Sequence, residues 1–258
     1  MNRTYPVPLK QGLTYGPIAS KRLGRSLGIN LSGSRRKLCD YNCVYCFYGQ
    51  THGLPQMDEF PDADDVLIAV EEALISDLET DWLTFSGNGE STIHPDFFHI
   101  VKEVRELVKK HRLELRIALL SNGSTITDAG LEQALELIDL PILKLDAGNQ
   151  DSFRLINRPI GRDIKADMLI DRLHQLARRR EITMQTVLFD GEPSNGEGTD
   201  YDRWSQAVTY INPHMIQIYT LDFSIGSIKP LTVQRLQNIA GELAKNGVKA
   251  QVYYEEAN

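Results

Sequence analysis

Apolar and polar positions along the chain alternate between two periods. Short strand-like runs recur, each followed by a longer stretch with apolar residues at helical spacing. Ser26–Ser32 reads as a first strand, and a helix of good helix-forming composition opens at Ala63 with Val66, Ile68, Val70 and Leu74 as its apolar positions. Trp82–Ser86 is a second strand running into Gly87-Asn88-Gly89-Glu90, and Phe97–His111 carries Phe97, Val101, Val104 and Val108 on one stripe. Arg116–Ser121 is a third strand, closed by the turn Asn122-Gly123, and a helix near Asp128–Leu137 leads to a fourth strand at Ile142–Asp146. A helix at Met168–Arg180, a fifth strand from Ile182, a helix at Tyr201–Ile211 and a sixth strand from Met215 follow. The last long helix is predicted at Thr232–Asn246, with a seventh strand at Lys249–Tyr254. Residues 1–25 form a Pro-containing lead-in of weak periodicity, and Asp190–Thr199 is the most flexible-looking loop.

Strands alternating with helices imply βαβ units and a parallel sheet, an α/β fold. The pattern shows no repeat beyond this alternation and no domain-splitting linker. One domain over 1–258 is therefore expected, as a lead-in (1–25) and an α/β body (26–258). Periodicity alone permits either a barrel-type or a doubly wound sheet.

Composition narrows the setting. At 258 residues and 41% hydrophobic, the chain can bury one sizeable core. No apolar run approaches the ~18 residues of a membrane span, and the N-terminus lacks the apolar core of a signal peptide, so a cytoplasmic protein with no membrane partner is expected. The net charge of −7 argues against wholesale coating of nucleic acid. Charge is nevertheless uneven: Lys21, Arg22, Arg25, Arg35, Arg36 and Lys37 lie within a stretch that holds no acidic residue. That segment is either a solvated positive loop or a surface for a phosphate-bearing substrate.

Candidate chemistry concentrates in Leu38–Tyr48, which holds all three cysteines, Cys39, Cys43 and Cys46, in a C-x3-C-x2-C spacing. An odd count argues against a disulfide framework. Three thiolates do not complete a structural zinc shell, although His52 offers a fourth ligand in an uncommon spacing. They suit a [4Fe–4S] cluster with one iron left open. The other unusual elements fall at predicted strand ends, where parallel α/β folds bind ligands: Gly87-Asn88-Gly89-Glu90, Ser121-Asn122, Asp146 with Asn149, the Gly-rich loop, and Thr220 with Asp222. Lys144 and Asp146 share one face of their strand between apolar Leu143 and Leu145, and a buried Lys–Asp pair is costly unless used or fully satisfied. His52, His94 and His174 have no partner spacing beyond surface or capping roles.

The cysteine spacing, with Tyr45 directly before the third cysteine, resembles the cluster loop of the radical S-adenosylmethionine (radical SAM) enzymes. The resemblance implies a partial (β/α)6 TIM-like barrel and an open iron chelated by the methionine end of S-adenosyl-L-methionine. It also implies a 5′-deoxyadenosyl radical and an electron donor such as flavodoxin or ferredoxin. By the same resemblance Gly87, Asn88, Gly89 and Glu90 stand where the family binds the SAM amino group. There a side chain at Gly89 is expected to collide with that group while leaving the cysteines untouched. Ser121 and Asn122 resemble the pair on the ribose or carboxylate, though Asn-Gly is equally a plain turn. Lys144 and Asp146 would contact ribose or substrate in a catalytic role, or form a structural ion pair. Gln217 and Tyr219 resemble the adenine-binding strand, with Tyr45, Phe47 or Tyr48 available to stack on adenine.

Segments Tyr15–Asn30, Phe85–Phe97, Leu143–Gly148, Ile156–Ile160 and Ile216–Asp222 are similar to the subgroup related to wyosine-base-forming tRNA enzymes. True wyosine formers carry further cysteines for a second cluster. This chain has three in all, so that reaction is not carried over. A nucleoside, nucleotide or tRNA-base substrate is expected. The alternatives are a radical activase or peptide modifier, and a non-catalytic metal-binding adaptor.

Overall fold

The computed structural model describes residues 5–161 and 164–254. The chain forms two compact units, one of Met1–Asp40 with Phe47–Pro141 and one of Tyr41–Cys46 with Ile142–Asn258.

In the first unit, β1 (Thr14–Ser20) runs antiparallel to β2 (Gly24–Ile29), which pairs in parallel with β3 (Trp82–Phe85) and that with β4 (Arg116–Ser121). Helices α1 (Ala63–Ile75), α2 (Phe97–His111) and α3 (Ala129–Leu135) alternate with these strands. The stripe read from the sequence is the buried face of α2: Phe97, Val101, Val104 and Val108 are all buried, as are Val66, Val70 and Leu74 of α1. Ile68 departs from the expectation and is 57% exposed on the outer side of α1.

The second unit begins with β5 (Leu140–Lys144), then α4 (Gln150–Ile156), α5 (Ala166–Ala177), β6 (Thr183–Val187) and the short β7 (Phe189–Gly191). It continues through α6 (Gly198–Ile211), β8 (Met215–Tyr219), β9 (Ile228–Pro230), α7 (Val233–Lys245) and β10 (Ala250–Tyr253). The parallel order is β5-β6-β8-β10, and β7 and β9 form a separate antiparallel pair. Trp204 of α6 is fully buried and donates to the Leu145 carbonyl at 3.0 Å. Burying a core Val, Leu, Ile or Phe side chain of these helices contributes about 1.5–3 kcal/mol, and that burial places the helices.

Three local findings differ from the sequence reading. The lead-in contains a strand, β1, with a register shift between Tyr15 and Ile18 around Gly16-Pro17. A half-exposed edge strand interrupted by proline carries no clean alternation. Helix α4 is only seven residues long, capped by the Asn149 side chain, which accepts from the Asp151 and Ser152 amides at 2.9 and 3.0 Å. The Gly-rich loop is not slack. Fully buried Asn195 donates to the Asp146 and Val187 carbonyls, both at 2.9 Å, and accepts from the Phe189 amide at 2.9 Å.

Candidate functional site

The cysteine loop is tied at its start in the first unit. Leu38 bridges Gly89 in parallel, and the Glu90 amide donates to the Leu38 carbonyl at 2.9 Å. A Cβ at Gly89 would sit 1.7 Å from the Leu38 oxygen, so only glycine permits this approach. Gly87 has φ +146, and a Cβ there would meet Asn30 Oδ1 at 2.5 Å. Asn88 is fully buried: its amide donates to the Lys10 and Gly33 carbonyls at 2.8 and 2.6 Å, and its oxygen accepts from the Lys10 amide at 2.7 Å. Both N–H groups of that side chain are thus held by backbone carbonyls, one of the lead-in and one of the loop after β2. What Gly87–Gly89 can offer a ligand is backbone.

Glu90 is buried, with Oε1 accepting from the Thr92 amide and hydroxyl at 3.1 and 2.7 Å and Oε2 from the Asn122 amide at 2.6 Å. Burial outweighs these donors and pushes its carboxyl up to about 7. Because the folded value lies above the ordinary 4.5, the resulting stabilisation is complete below pH 4.5 and is lost as pH rises through about 7. Apo-protein stability is therefore expected to fall between those values by as much as about 1.4 kcal/mol per pH unit. Unfolding midpoints across that range check it, with Glu90→Gln removing this component of the slope. The Asn122 side chain donates to Asp40 Oδ1 at 3.0 Å and reaches Cys39 Sγ at 3.8 Å, while Ser121 Oγ accepts from the Gly123 amide at 3.1 Å.

In the second unit the loop is held by the chain that follows α4. The Asn42 amide donates to the Asn157 and Arg158 carbonyls, both at 3.1 Å, the Val44 amide to the Ile156 carbonyl at 2.9 Å, and Tyr41 bridges Pro159. Arg158 takes φ 48, the left-handed region that lets the chain turn off the helix. Asp146 collects partners here: Lys144 Nζ at 3.4 Å, the Val187 amide at 3.1 Å, Asn157 Nδ2 at 3.0 Å, and the Tyr45 hydroxyl. Lys144 Nζ also reaches the Tyr219 hydroxyl at 3.2 Å and lies over the Tyr45 and Tyr219 rings at 5.0 and 5.3 Å. Burial acts most strongly on Lys144 and works against its charge. The Asp146 carboxylate and Tyr219 outweigh it, so the ammonium is held above its ordinary value. A lysine in that state donates and orients but does not accept a proton. Gln217 is buried, with its oxygen accepting from Gln185 at 3.1 Å.

None of the three cysteines is in a disulfide, and each is half-buried. Burial first, then Asp146, pushes the Cys43 thiol up to about 11. Among the described residues no three His, Cys, Asp or Glu side chains converge as ligands of one metal ion. An iron–sulfur cubane does not require that, since each iron takes its own thiolate. Three thiols on one loop, with side-chain amides aimed at Cys39 and Cys43, fit such a cluster. The basic segment behaves differently from its sequence pattern. Arg25 is paired with Asp81, at 2.7 Å, and with Glu79; Arg36 is paired with Glu59; and Lys37 is buried on the Gly49 carbonyl at 3.0 Å. His94 is a capping residue, its ring between the Pro61 carbonyl at 2.9 Å and the Asp96 amide at 3.1 Å. Sequence reasoning gave Asn30, Asp40, Asn157 and Asn195 no role. All four lie within stretches singled out above, but none was itself assigned a part.

Residues 37–197 match the model of the Radical SAM superfamily. The chain belongs to that superfamily, the class of iron–sulfur enzymes that use S-adenosyl-L-methionine for radical chemistry. It is 31% identical over 222 residues to the UPF0026 protein slr1464 of Synechocystis, covering 84% of this chain and 76% of that one. It is 30% identical over 215 residues to a protein of Brachyspira hyodysenteriae named GTPase Obg. That match covers 82% of this chain and 30% of the relative, so this chain spans under a third of its length. Among solved structures it resembles a radical SAM methyltransferase from Sphaerobacter thermophilus, with TM-score 0.66 and 16% identity over 90% of this chain and 67% of that one. It also resembles TYW1 with a lysine-pyruvate adduct bound, with TM-score 0.61 and 17% identity over 86% and 74%. These likenesses show the fold, the mostly parallel α/β partial barrel of the radical SAM enzymes.

Proposed function

We propose that Cys39, Cys43 and Cys46 hold one [4Fe–4S] cluster with an open iron, and that the chain acts on a nucleoside, nucleotide or tRNA base. With cluster and S-adenosyl-L-methionine bound, the site would supply a 5′-deoxyadenosyl radical for hydrogen abstraction. The observation that carries the reading is the cysteine loop itself. Three thiols, none in a disulfide, stand on one loop fastened by the Leu38–Gly89 and Tyr41–Pro159 bridges.

Around that loop, the Gly87–Gly89 backbone offers N–H and C=O groups to the methionine end. Ser121 and Asn122 stand at the end of β4, and Gln217 and Tyr219 on β8, for the ribose and adenine. Lys144 and Asp146 orient Tyr45 and Tyr219 through the contacts above. The preference for a nucleotide substrate is supported by the resemblance of five segments to the wyosine-related subgroup. The basic segment Lys21–Lys37 adds little, because Arg25, Arg36 and Lys37 are already engaged within the chain. The electron would come from a flavodoxin- or ferredoxin-type donor.

Anaerobic reconstitution of the wild-type chain tests the reading. About four iron and four sulfide per chain are expected, with 5′-deoxyadenosine formed on reduction in the presence of SAM. A chain that binds one zinc tightly and ignores SAM would instead be the metal-stabilised adaptor.

A further inference from the structure

The sequence segment Ile156–Ile160 has a physical use in the second unit. Its backbone carbonyls hold the amides of Asn42 and Val44, on either side of Cys43. The side chain that leaves this segment, Asn157, is only 4% exposed. Its amide nitrogen lies 3.0 Å from Asp146 Oδ2, 3.6 Å from Cys43 Sγ and 3.5 Å from the Tyr45 hydroxyl oxygen.

A primary amide carries two N–H donors. The carboxylate takes one. The second is shared between the Cys43 sulfur at 3.6 Å and the hydroxyl oxygen of Tyr45 at 3.5 Å, which itself donates to Asp146. The amide orientation follows from the same network. Turning it over would set Oδ1 against the Asp146 oxygen, acceptor against acceptor. Held as it is, Oδ1 is buried with no hydrogen-bond partner. A buried acceptor left unpaired is costly. The fold carries that cost at a residue whose N–H groups face a carboxylate and a thiol. In the first unit Asn122 makes the counterpart contact, its amide nitrogen 3.8 Å from Cys39 Sγ.

The geometry points to Asn157 as a positioning residue of the cluster, one that donates an N–H···S hydrogen bond to Cys43 and thereby raises the reduction potential. This rests on the reading of the three cysteines as cluster ligands. Hydrogen bonds to ligand sulfurs stabilise the electron-rich reduced state, one of the recognised means by which a protein sets a cluster potential. The effect is needed at this cysteine. Asp146 places a negative charge beside Cys43, its Oδ2 3.0 Å from the same amide nitrogen that lies 3.6 Å from Cys43 Sγ, and that charge disfavours an added electron. Asn157 stands between the two, with one N–H for each. It makes and breaks no covalent bond: one electron enters from the external donor, and Asn157 biases only the equilibrium of that transfer.

The test is a redox titration, read by electron paramagnetic resonance, of the anaerobically reconstituted full chain as wild type, Asn157→Leu and Asn157→Ser, with iron assayed on each sample. Leucine keeps the volume without a donor, and serine is too short to reach the sulfur. Either variant that holds full iron suffices. The expected result is a potential lowered by at least tenfold in the one-electron equilibrium constant, 59 mV. Full iron with an unchanged potential overturns the proposal. Loss of iron in both variants also overturns it, because Asn157 would then be a scaffold residue. A wild-type chain that takes up no cluster defeats the three-cysteine reading and this proposal with it, and that outcome is visible before any variant is made.

Discussion

Gly89→Val is expected to strip the protein of iron as well as of SAM binding. The sequence reading placed the first collision on the amino group of SAM, with the cysteines untouched. In the structure the added Cβ meets the chain before it meets any ligand, 1.7 Å from the Leu38 oxygen and 2.5 Å from its carbonyl carbon. Both are backbone atoms, so no rotamer relieves the contact, and Ser32 Oγ at 2.7 Å closes the remaining side. Leu38 immediately precedes Cys39, and its carbonyl is the acceptor for the Glu90 amide. Overpacking in a filled interior costs about 1–3 kcal/mol where side chains can adjust. Here the cost falls on the pairing that positions the first cysteine, and even Gly89→Ala is expected to lower iron content severalfold. Gly130→Ala is the control, because its Cβ would meet only Phe98 Cβ, at 3.9 Å. Iron content and unfolding midpoint on the same samples decide it. Full iron in Gly89→Val would mean that the Leu38–Gly89 bridge does not position the cysteine loop.

Much of the fold was legible because the amphipathic helices bury what their period selects. The boundaries of α2 coincide with the apolar stripe, and β4 with its apolar run. What escaped has a common physical cause. The edge strand β1 is half-exposed and broken by Gly16-Pro17, so it carries no alternation. Helix α4 is under two turns long and announces itself only through the cap residue Asn149. The site divides in the same way. Cysteines three and four positions apart declare themselves locally. Asparagines that bond across long stretches of chain do not: Asn88 meets Lys10 and Asn157 meets Cys43, at separations of 78 and 114 residues. Such partners are fixed by topology, and no window of sequence holds both ends. The basic segment shows the converse. Its run of like charge is plain in the sequence, yet Arg25 finds Asp81 and Arg36 finds Glu59 from outside that run. Exposed pairs of this kind contribute little stability. They do lower the net positive charge a phosphate would meet. Charge reversal at Arg25 would also break its bond to Asp81, so weaker nucleic-acid binding in that variant alone would not identify a phosphate site.

Cys43→Ala is expected to abolish the cluster and all reductive cleavage of SAM while leaving the apo fold in place. The chain contains three cysteines and no spare. A cubane that already leaves one iron open has no ligand to lose. The fold has little stake in the thiol. Cys43 Sγ receives the Asn157 amide at 3.6 Å, a weak contact, whereas the loop backbone is fastened by Asn42 and Val44 to the chain after α4. Truncation to alanine touches none of those backbone bonds, and it leaves the Asn157–Asp146 hydrogen bond at 3.0 Å intact. The unfolding midpoint of the apo variant should therefore correspond to a change of about 1 kcal/mol or less, within the ordinary range for one small substitution. Iron and sulfide should fall to background, and no 5′-deoxyadenosine should form. Measuring iron, sulfide, SAM cleavage and thermal unfolding on one preparation separates cluster loss from misfolding. Cys39→Ala and Cys46→Ala should give the same cluster result. If Cys43→Ala instead holds a full complement of iron and cleaves SAM, the ligands lie elsewhere in the chain and the assignment of the three cysteines fails.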